Sequence, residues 1–589
     1  MRILNDRFRR PFLAAAFRTL FRVPLPTLFL AVLTALALPV RLPAQQPVRA
    51  AHGMVASAIA LASQAGVDVL KRGGNAVDAA CATALTLAVT YPVAGNLGGG
   101  GFMLIRLADG RTTAIDYREA APARASRTMY LNAAGNVVHN LSLVGYRASG
   151  VPGTVAGLAL AQQKYGRLKW RDVVEPARLL AAQGFPVSQA MAQSLRAASP
   201  LTQFAESRHV FLKNGDFYKA GDLFQQPELA ATLRRLQTEG PREFYEGRTA
   251  QLIADDMKAN GGLITRDDLK NYKAVEREPL RGTYRGYDIL TMPPPSSGGI
   301  ALLEMFNILE PHDLAQSGVH TTPTDHLLIE AMRRAFADRA EFLGDPDFIH
   351  VPVLGLISKP YAAEVAKTID LQHATPSSQI GHGKPLAYES PQTTHFSVVD
   401  AAGNAVSNTY TLNMGYGSGV TVKGAGFLLN DEMDDFTSKP GIPNGFGLIQ
   451  GETNAIAPRK RPLSSMTPTI VVRDGKLFMV IGSPGGPTII NTVLQVISNV
   501  VDHKMNIAQA IAAPRLHHQW LPDRISAETG AVSSNVLKEL QGMGHVFAAD
   551  VSKSGVYWGD AEGILVESTT AALLGASDPR SHDAAATGY

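Results

Sequence analysis

The residues with the most chemical potential lie between Thr393 and Asn413. Thr394–Val399 and Ala405–Thr411 read as strands flanking Ala401-Ala402-Gly403. A three-residue hairpin loop ending in a left-handed glycine pairs Asp400 with Asn404. Counting back along both strands sets Thr393 opposite Thr411, with Thr409 and Asn413 on the same face. Cross-strand partners have Cβ atoms ~5 Å apart, so the two hydroxyls fall within hydrogen-bond range. A threonine hydroxyl becomes a nucleophile only when a base takes its proton. On the pattern alone, an ordinary sheet-stabilising pair is the better description.

Other candidates divide by spacing. Asp431, Glu432, Asp434 and Asp435 lack the alternating ligands and central glycine of a calcium loop, and a carboxylate cluster that reads a cationic group fits at least as well. His517 and His518 are adjacent, diverge in direction and have no spaced partner set, so a structural pair is expected and no metal. The Gly95–Phe102 stretch lacks the Lys-Ser/Thr of a phosphate-binding loop and is expected to make close backbone contacts within the protein. Serine-hydrolase elbow, zincin, P-loop and paired C-x-x-C motifs are absent. Cys81, the single cysteine, sits in an Ala/Leu/Thr/Val-rich stretch and reads as a small buried hydrophobe.

These residues need a large scaffold, and the chain supplies one. It has 589 residues, 45% hydrophobic content and mean hydropathy of zero, enough for a substantial core. Residues 54–72 are expected as one helix, because Val55, Ile59, Ala62, Gly66 and Leu70 recur at helical spacing before Gly73-Gly74. Asn75 caps a second helix through about Val89. Both are short of charge and are expected to lie buried, against a sheet. From about Gly153 to His373 the pattern is mainly helical, including Trp170–Ala182 and Thr324–Phe342. Pro293–Gly299 is a shaped loop. After Tyr388 the character changes to strands and glycine turns.

The first 44 residues differ from the rest. Arginines precede an apolar run from Pro24 to Val40 and then Leu42-Pro43-Ala44, the order of a secretory signal; prolines break the run, and it is short for a membrane span. Without them the chain keeps 48 basic and 50 acidic side chains, a formal charge of −2, with no basic tract for nucleic acid. Export to the periplasm or the medium is expected, with no stable membrane span after signal removal.

The hairpin motif from Thr393 to Asn413 closely resembles that of the γ-glutamyltranspeptidases. So do Arg461–Met466, Gly482–Gly486 and Gly575–Arg580, and, in the first half, Gly73–Ala80, Gly95–Phe102, Asp116–Pro122 and Pro293–Gly299. The resemblance spans essentially the whole chain after the signal. It implies an α+β, four-layer αββα N-terminal-nucleophile fold, made as a precursor and cut at Gln392–Thr393. The expected parts are a signal peptide, 1–44, a large subunit, 45–392, and a small catalytic subunit, 393–589, which remain together as a heterodimer.

By the same resemblance, the freed Thr393 attacks γ-glutamyl amides such as glutathione, and water, an amino acid or a peptide takes the acyl group, with no cofactor. Thr411 orients the amino end of Thr393, and the backbone N–H groups of Gly485 and Gly486 hold the oxyanion. Arg118, Ser464 and Ser465 are assigned to the substrate α-carboxylate, and Asn413, Glu432 and Asp435 to its α-ammonium. Arg118 is alternatively a structural ion pair, Ser464-Ser465 a turn, and Asp435 a helix cap. Pro440–Lys460 resembles a lid that places Phe446 where relatives often carry tyrosine. Two rivals stand beside this reading. One is an acylase of the same fold whose substrate lacks the ammonium; the other is a secreted binding protein with no self-cleavage.

Overall fold

A computed structural model describes residues 46–385, 397–548 and 558–589. The expected signal segment, Thr393 and the Gln392–Thr393 bond lie outside the described residues. Among those described, strands build two seven-stranded antiparallel sheets. The first runs in the order Val48–Ala50, Leu573–Ser577, Glu562–Val566, Lys476–Gly482, Thr469–Arg473, Tyr287–Thr291, Leu280–Tyr284. The second runs Ala585–Gly588, Met54–Ser57, Ser397–Val399, Ala405–Thr411, Gly100–Arg106, Thr112–Tyr117, Val275–Arg277. Strands from before residue 386 and after residue 396 are hydrogen-bonded neighbours in both sheets.

The period of two in each strand divides the core. On the second sheet Met103 and Ile105 face a helical layer that contains Ala76–Thr90, while Phe102 and Leu104 face the other sheet. Beyond the first sheet, Gly298–Leu309, Thr322–Phe342 and Thr488–Val501 form the other helical layer. The order of layers is therefore helix, sheet, sheet, helix, as the αββα reading expects.

Local sequence explains much of this. The helix Ala76–Thr90 begins with a capping box: Asn75 accepts from the N–H groups of Val77 and Asp78, and Asp78 accepts from Asn75. All of its side chains are buried, Cys81 among them. The region 54–72 is a correction: Met54–Ser57 is a strand, and the helix is Ala60–Lys71. Met54 and Ala56 pack between the sheets while Val55 packs on the helices, so both faces of the strand are apolar and the alternation that would mark it is lost.

A second correction concerns 153–373, which includes the hairpin Leu280–Tyr284 and Tyr287–Thr291. Its two-residue turn puts Arg285 and Gly286 at φ +52° and +81°, a turn usually signalled by Asn-Gly. Likewise, the strand-rich region after Tyr388 contains the wholly buried helix Thr488–Val501.

The central hairpin follows the predicted register. Ser397 pairs with Ser407, Val398 with Val406 and Val399 with Ala405, and the Asp400 N–H donates to the Asn404 carbonyl at 3.1 Å. Gly403 has φ +86°. Asp400 holds the turn: Oδ1 accepts from the N–H groups of Ala402 and Asn404 at 2.9 and 3.0 Å, and Oδ2 from Asn404 Nδ2 at 2.7 Å. Oδ2 also accepts from the N–H of Ala76, at the start of the neighbouring helix, at 2.9 Å. Asp400→Ala is expected to destabilise the protein by about 2–4 kcal/mol, since it orphans several buried donors at once. Urea unfolding measures this, and a loss within about 0.5 kcal/mol would mean that the turn is held by its backbone alone.

Candidate active site

A cavity of about 530 Å3 lies where four segments meet: the end of the strand Ala405–Thr411, the 3-10 turn Glu432–Asp435, the Ser464-Ser465 corner and the Gly485-Gly486 pair. Thr411, Asn413, Glu432, Asp435, Phe446, Ser464, Ser465, Gly485 and Gly486 all line it. Arg118 stands behind the wall and Thr393 is outside the described residues.

The strand end is clamped from behind by the Gly95–Phe102 loop. A Cβ on Gly99 would stand 2.0 Å from the Thr411 carbonyl oxygen, so only glycine permits this approach. Asn96 Nδ2 donates to the same carbonyl at 2.9 Å, and the Thr411 hydroxyl accepts from the Asn413 N–H at 2.8 Å. Asn413 takes φ +82°, a conformation asparagine tolerates, and its Nδ2 donates to the Asp431 carbonyl at 3.1 Å. The loop therefore makes the close backbone contacts its composition suggested.

The acidic run separates by role. Asp431 accepts from the Met414 N–H at 3.0 Å, and Asp434 from the Ser142 hydroxyl at 2.7 Å and the Gly445 N–H at 2.8 Å. These two tie loops together, whereas Glu432 and Asp435 reach the cavity. Behind them the fully buried Arg118 pairs with Glu432 Oε1 and, at 2.5 Å, with Asp435 Oδ2; Glu119 Oε2 lies 3.7 Å away. The ion-pair role of Arg118 is thus realised here.

One guanidinium faces three buried carboxyl groups. Burial, opposed by Arg118, pushes Glu119 up to about 7 and Glu432 well above the ordinary carboxylate range; Asp435 is raised for the same reason. Burial thus holds all three carboxyls above the ordinary carboxylate range, with one guanidinium shared among them.

At the opposite wall Gly485 and Gly486 have φ +141° and +58° and immediately precede the helix Thr488–Val501. A Cβ on Gly486 would lie 2.6 Å from Phe446 Cδ1, so the ring sits directly on this glycine. Phe446 belongs to a loop folded over the acidic turn, with Asn444 Nδ2 donating to Asp435 Oδ1 at 3.4 Å and Asn454 Nδ2 to the Asp435 carbonyl at 2.6 Å. The two histidines are structural: His517 bonds Asn491, and His518 bonds Asp523.

Sequence reasoning missed Arg339, which donates to the Ser465 hydroxyl at 3.1 Å, and Gln450, whose Nε2 donates to the Asp435 carbonyl at 3.1 Å. Nothing in the sequence marked Arg339, because the burial of its helix Thr322–Phe342 appears only in the fold.

Two facing antiparallel sheets between helical layers, with a carboxylate-walled cavity at a threonine-bearing strand end, match the α+β class of N-terminal-nucleophile hydrolases to which the similar solved structures belong. A profile of the gamma-glutamyltranspeptidase family matches residues 62–588. The glutathione hydrolase proenzyme of Escherichia coli is 51% identical over 92% of this chain and 93% of its own. Cephalosporin acylase from Bacillus halodurans superposes with a TM-score of 0.82 at 28% identity, covering 92% of this chain and 97% of that one. The gamma-glutamyltranspeptidase of Helicobacter pylori, 46% identical, gives a TM-score of 0.56 over 56% of this chain and 96% of its own. The chain belongs to the gamma-glutamyltranspeptidase family.

Raised carboxyls make cation binding a protonic event. A cation entering beside Glu432 and Asp435 lowers values that burial has raised, so a proton leaves. L-Glutamate binding at about pH 6.5 is expected to release up to about one proton per site, read by calorimetry in buffers of different ionisation enthalpy. Glutarate, which has no ammonium, should release none; equal release would remove these carboxyls from ammonium recognition.

Proposed function

We propose that this protein is an exported γ-glutamyl transferase and hydrolase that matures by cutting its own Gln392–Thr393 bond and then uses Thr393 as nucleophile. The observation that carries the reading is convergence. Apart from Arg118, which stands behind the wall, the residues assigned to oxyanion, carboxylate and ammonium come from separate stretches of chain and line one cavity. The hairpin from Ser397–Ser407 to Val399–Ala405 keeps the register on which the sequence-based pairing of Thr393 with Thr411 rests, and Thr411 lines that cavity.

In the precursor the Thr393 hydroxyl attacks the Gln392 carbonyl, the peptide bond becomes an ester, and water opens it. The products are the large subunit, 45–392, and the small subunit, 393–589. Both sheets draw strands from each side of the cut, which supports a heterodimer that stays assembled. Cleavage turns an amide nitrogen into an α-amine with a pKa near neutrality, able to take the hydroxyl proton.

Thr393 Oγ then attacks the γ-carbonyl of a donor such as glutathione. The proton passes through the α-amine to the leaving nitrogen, and the γ-glutamyl ester is taken by water, an amino acid or a peptide. Gly485 and Gly486 offer main-chain N–H groups to the oxyanion, with no side chain to block the approach. The donor ammonium takes a share of Glu432 and Asp435, with Asn413 beside them. This releases Arg118 N–H groups for the α-carboxylate, which Ser464 and Ser465 also meet. An acylase acting on substrates without an ammonium has no use for that acidic pair. Phe446 covers the bound group as part of a lid at Pro440–Lys460, and acceptor access differs from tyrosine-bearing relatives. Residues 1–44 direct the chain to the periplasm or medium; among the described residues no helix is long and apolar enough to cross a membrane.

The test is intact-mass and N-terminal analysis of purified protein, wild type and Thr393→Ala. The expected result is two wild-type fragments, the smaller beginning Thr393-Thr394-His395, against one folded, inactive Thr393→Ala chain. A variant that still cuts itself or turns over a γ-glutamyl anilide would sink the nucleophile assignment.

A further inference from the structure

Arg339 lies on the helix Thr322–Phe342 with 2% of its surface exposed. Its neighbours on that helix have carboxylate partners: Arg333 pairs with Asp523 and Arg334 with Glu330. Arg339 forms no ion pair among the described residues. Its guanidinium donates to three neutral oxygens: from Nε to Ser297 Oγ at 2.9 Å, from Nη1 to Gln450 Oε1 at 3.4 Å, and from Nη2 to Ser465 Oγ at 3.1 Å. Burial pushes it down to about 10, so it stays charged at neutral pH.

A buried cation with no direct ion-pair partner is costly unless something else uses its field, and here the Asp435 carboxylate acts on it only from beyond ion-pair distance. The geometry shows where that field is directed. Ser465 lines the cavity, and its hydroxyl oxygen already accepts from Arg339. Among the described residues no acceptor takes its proton, so the hydroxyl is free to donate into the cavity that Ser465 lines. Ser297 also accepts from Arg339 and passes its own proton to the Ser464 carbonyl at 2.7 Å, fixing the neighbouring residue. Gln450 extends the same network to the Asp435 carbonyl. Arg118, by contrast, is paired with two carboxylates.

We propose that Arg339 is a positioning residue for the donor α-carboxylate: it orients the Ser465 hydroxyl as a donor into the cavity and supplies positive charge behind the Ser464-Ser465 corner. The anion it serves is the carboxylate of the γ-glutamyl group, so the inference rests on the carboxylate assignment made above.

Two donors and three variants separate the possibilities. L-γ-Glutamyl-p-nitroanilide carries the carboxylate, and 4-aminobutanoyl-p-nitroanilide is the same donor without it. After self-cleavage is checked by intact mass, Arg339→Met is expected to raise KM for the first by about 10–100-fold with kcat within about 3-fold, while kcat/KM for the second stays within about 3-fold. Arg339→Lys, which keeps the charge but not the planar fork, falls between. In a Ser465→Ala background Arg339→Met should add less than half of its own logarithmic effect, because the two act in series.

Equal losses on both donors, or full additivity with Ser465→Ala, would make Arg339 a general structural residue and overturn the proposal. If Arg339→Met fails to fold, Arg339→Lys decides: a rise in KM confined to the carboxylate-bearing donor supports the role, and unchanged or equally changed donors reject it. Ser465→Ala alone tells the two levels apart. If it does not discriminate between donors, the carboxylate assignment itself falls. If it does and the Arg339 variants do not, only this inference falls.

Discussion

The antiparallel register between Ser397–Val399 and Ala405–Thr411 is the constraint on which the site depends. A slip of one residue would turn Thr409, Thr411 and their partners from the inter-sheet face to the helical face. The hairpin turn resists that slip because one carboxylate, Asp400, accepts from the turn's two N–H groups, from the Asn404 side chain and from the start of the helix Ala76–Thr90. Further along, Gly99 and Asn96 pin the Thr411 carbonyl, so the strand is fixed at both ends. Side-chain position at the cavity thus follows from backbone hydrogen bonds well removed from it.

Charge sets the second constraint. The carboxyls of Glu119, Glu432 and Asp435 share one buried guanidinium, and a second guanidinium, Arg339, sits under the serine corner without an ion-pair partner among the described residues. Neither arrangement stabilises the fold strongly, because desolvation offsets most of what buried pairing returns. Acidic side chains and the serine corner, with a guanidinium beneath it, line the same cavity, the chemistry on which the proposed recognition of an α-amino acid head group rests.

How far this was legible in the sequence depended on the range of the interactions involved. The hairpin register, the Asn75 cap and the buried Cys81 are local consequences of turn and cap chemistry, and they read correctly. Met54–Ser57 was lost in a longer helical pattern because a strand buried on both faces shows no alternation. The Leu280–Thr291 hairpin was lost because Arg285-Gly286 stands where asparagine usually announces the turn. Nine site residues matched through family motifs meet at one cavity. Arg339 escaped because its contacts with Ser297, Gln450 and Ser465 exist only in three dimensions, and from sequence it is one more arginine beside Arg333 and Arg334.

Interleaving also explains why a scaffold of this kind tolerates a break beside its own site. In each sheet, strands from residues before 386 are paired with strands from residues after 396, and Phe102 and Leu104 pack in the same inter-sheet core as Ile470 and Ile481. Separating the two portions would strip ladder hydrogen bonds from both sheets and expose that core, a loss far larger than the chain entropy a single cut releases. A cut between two such portions therefore removes connectivity and little else.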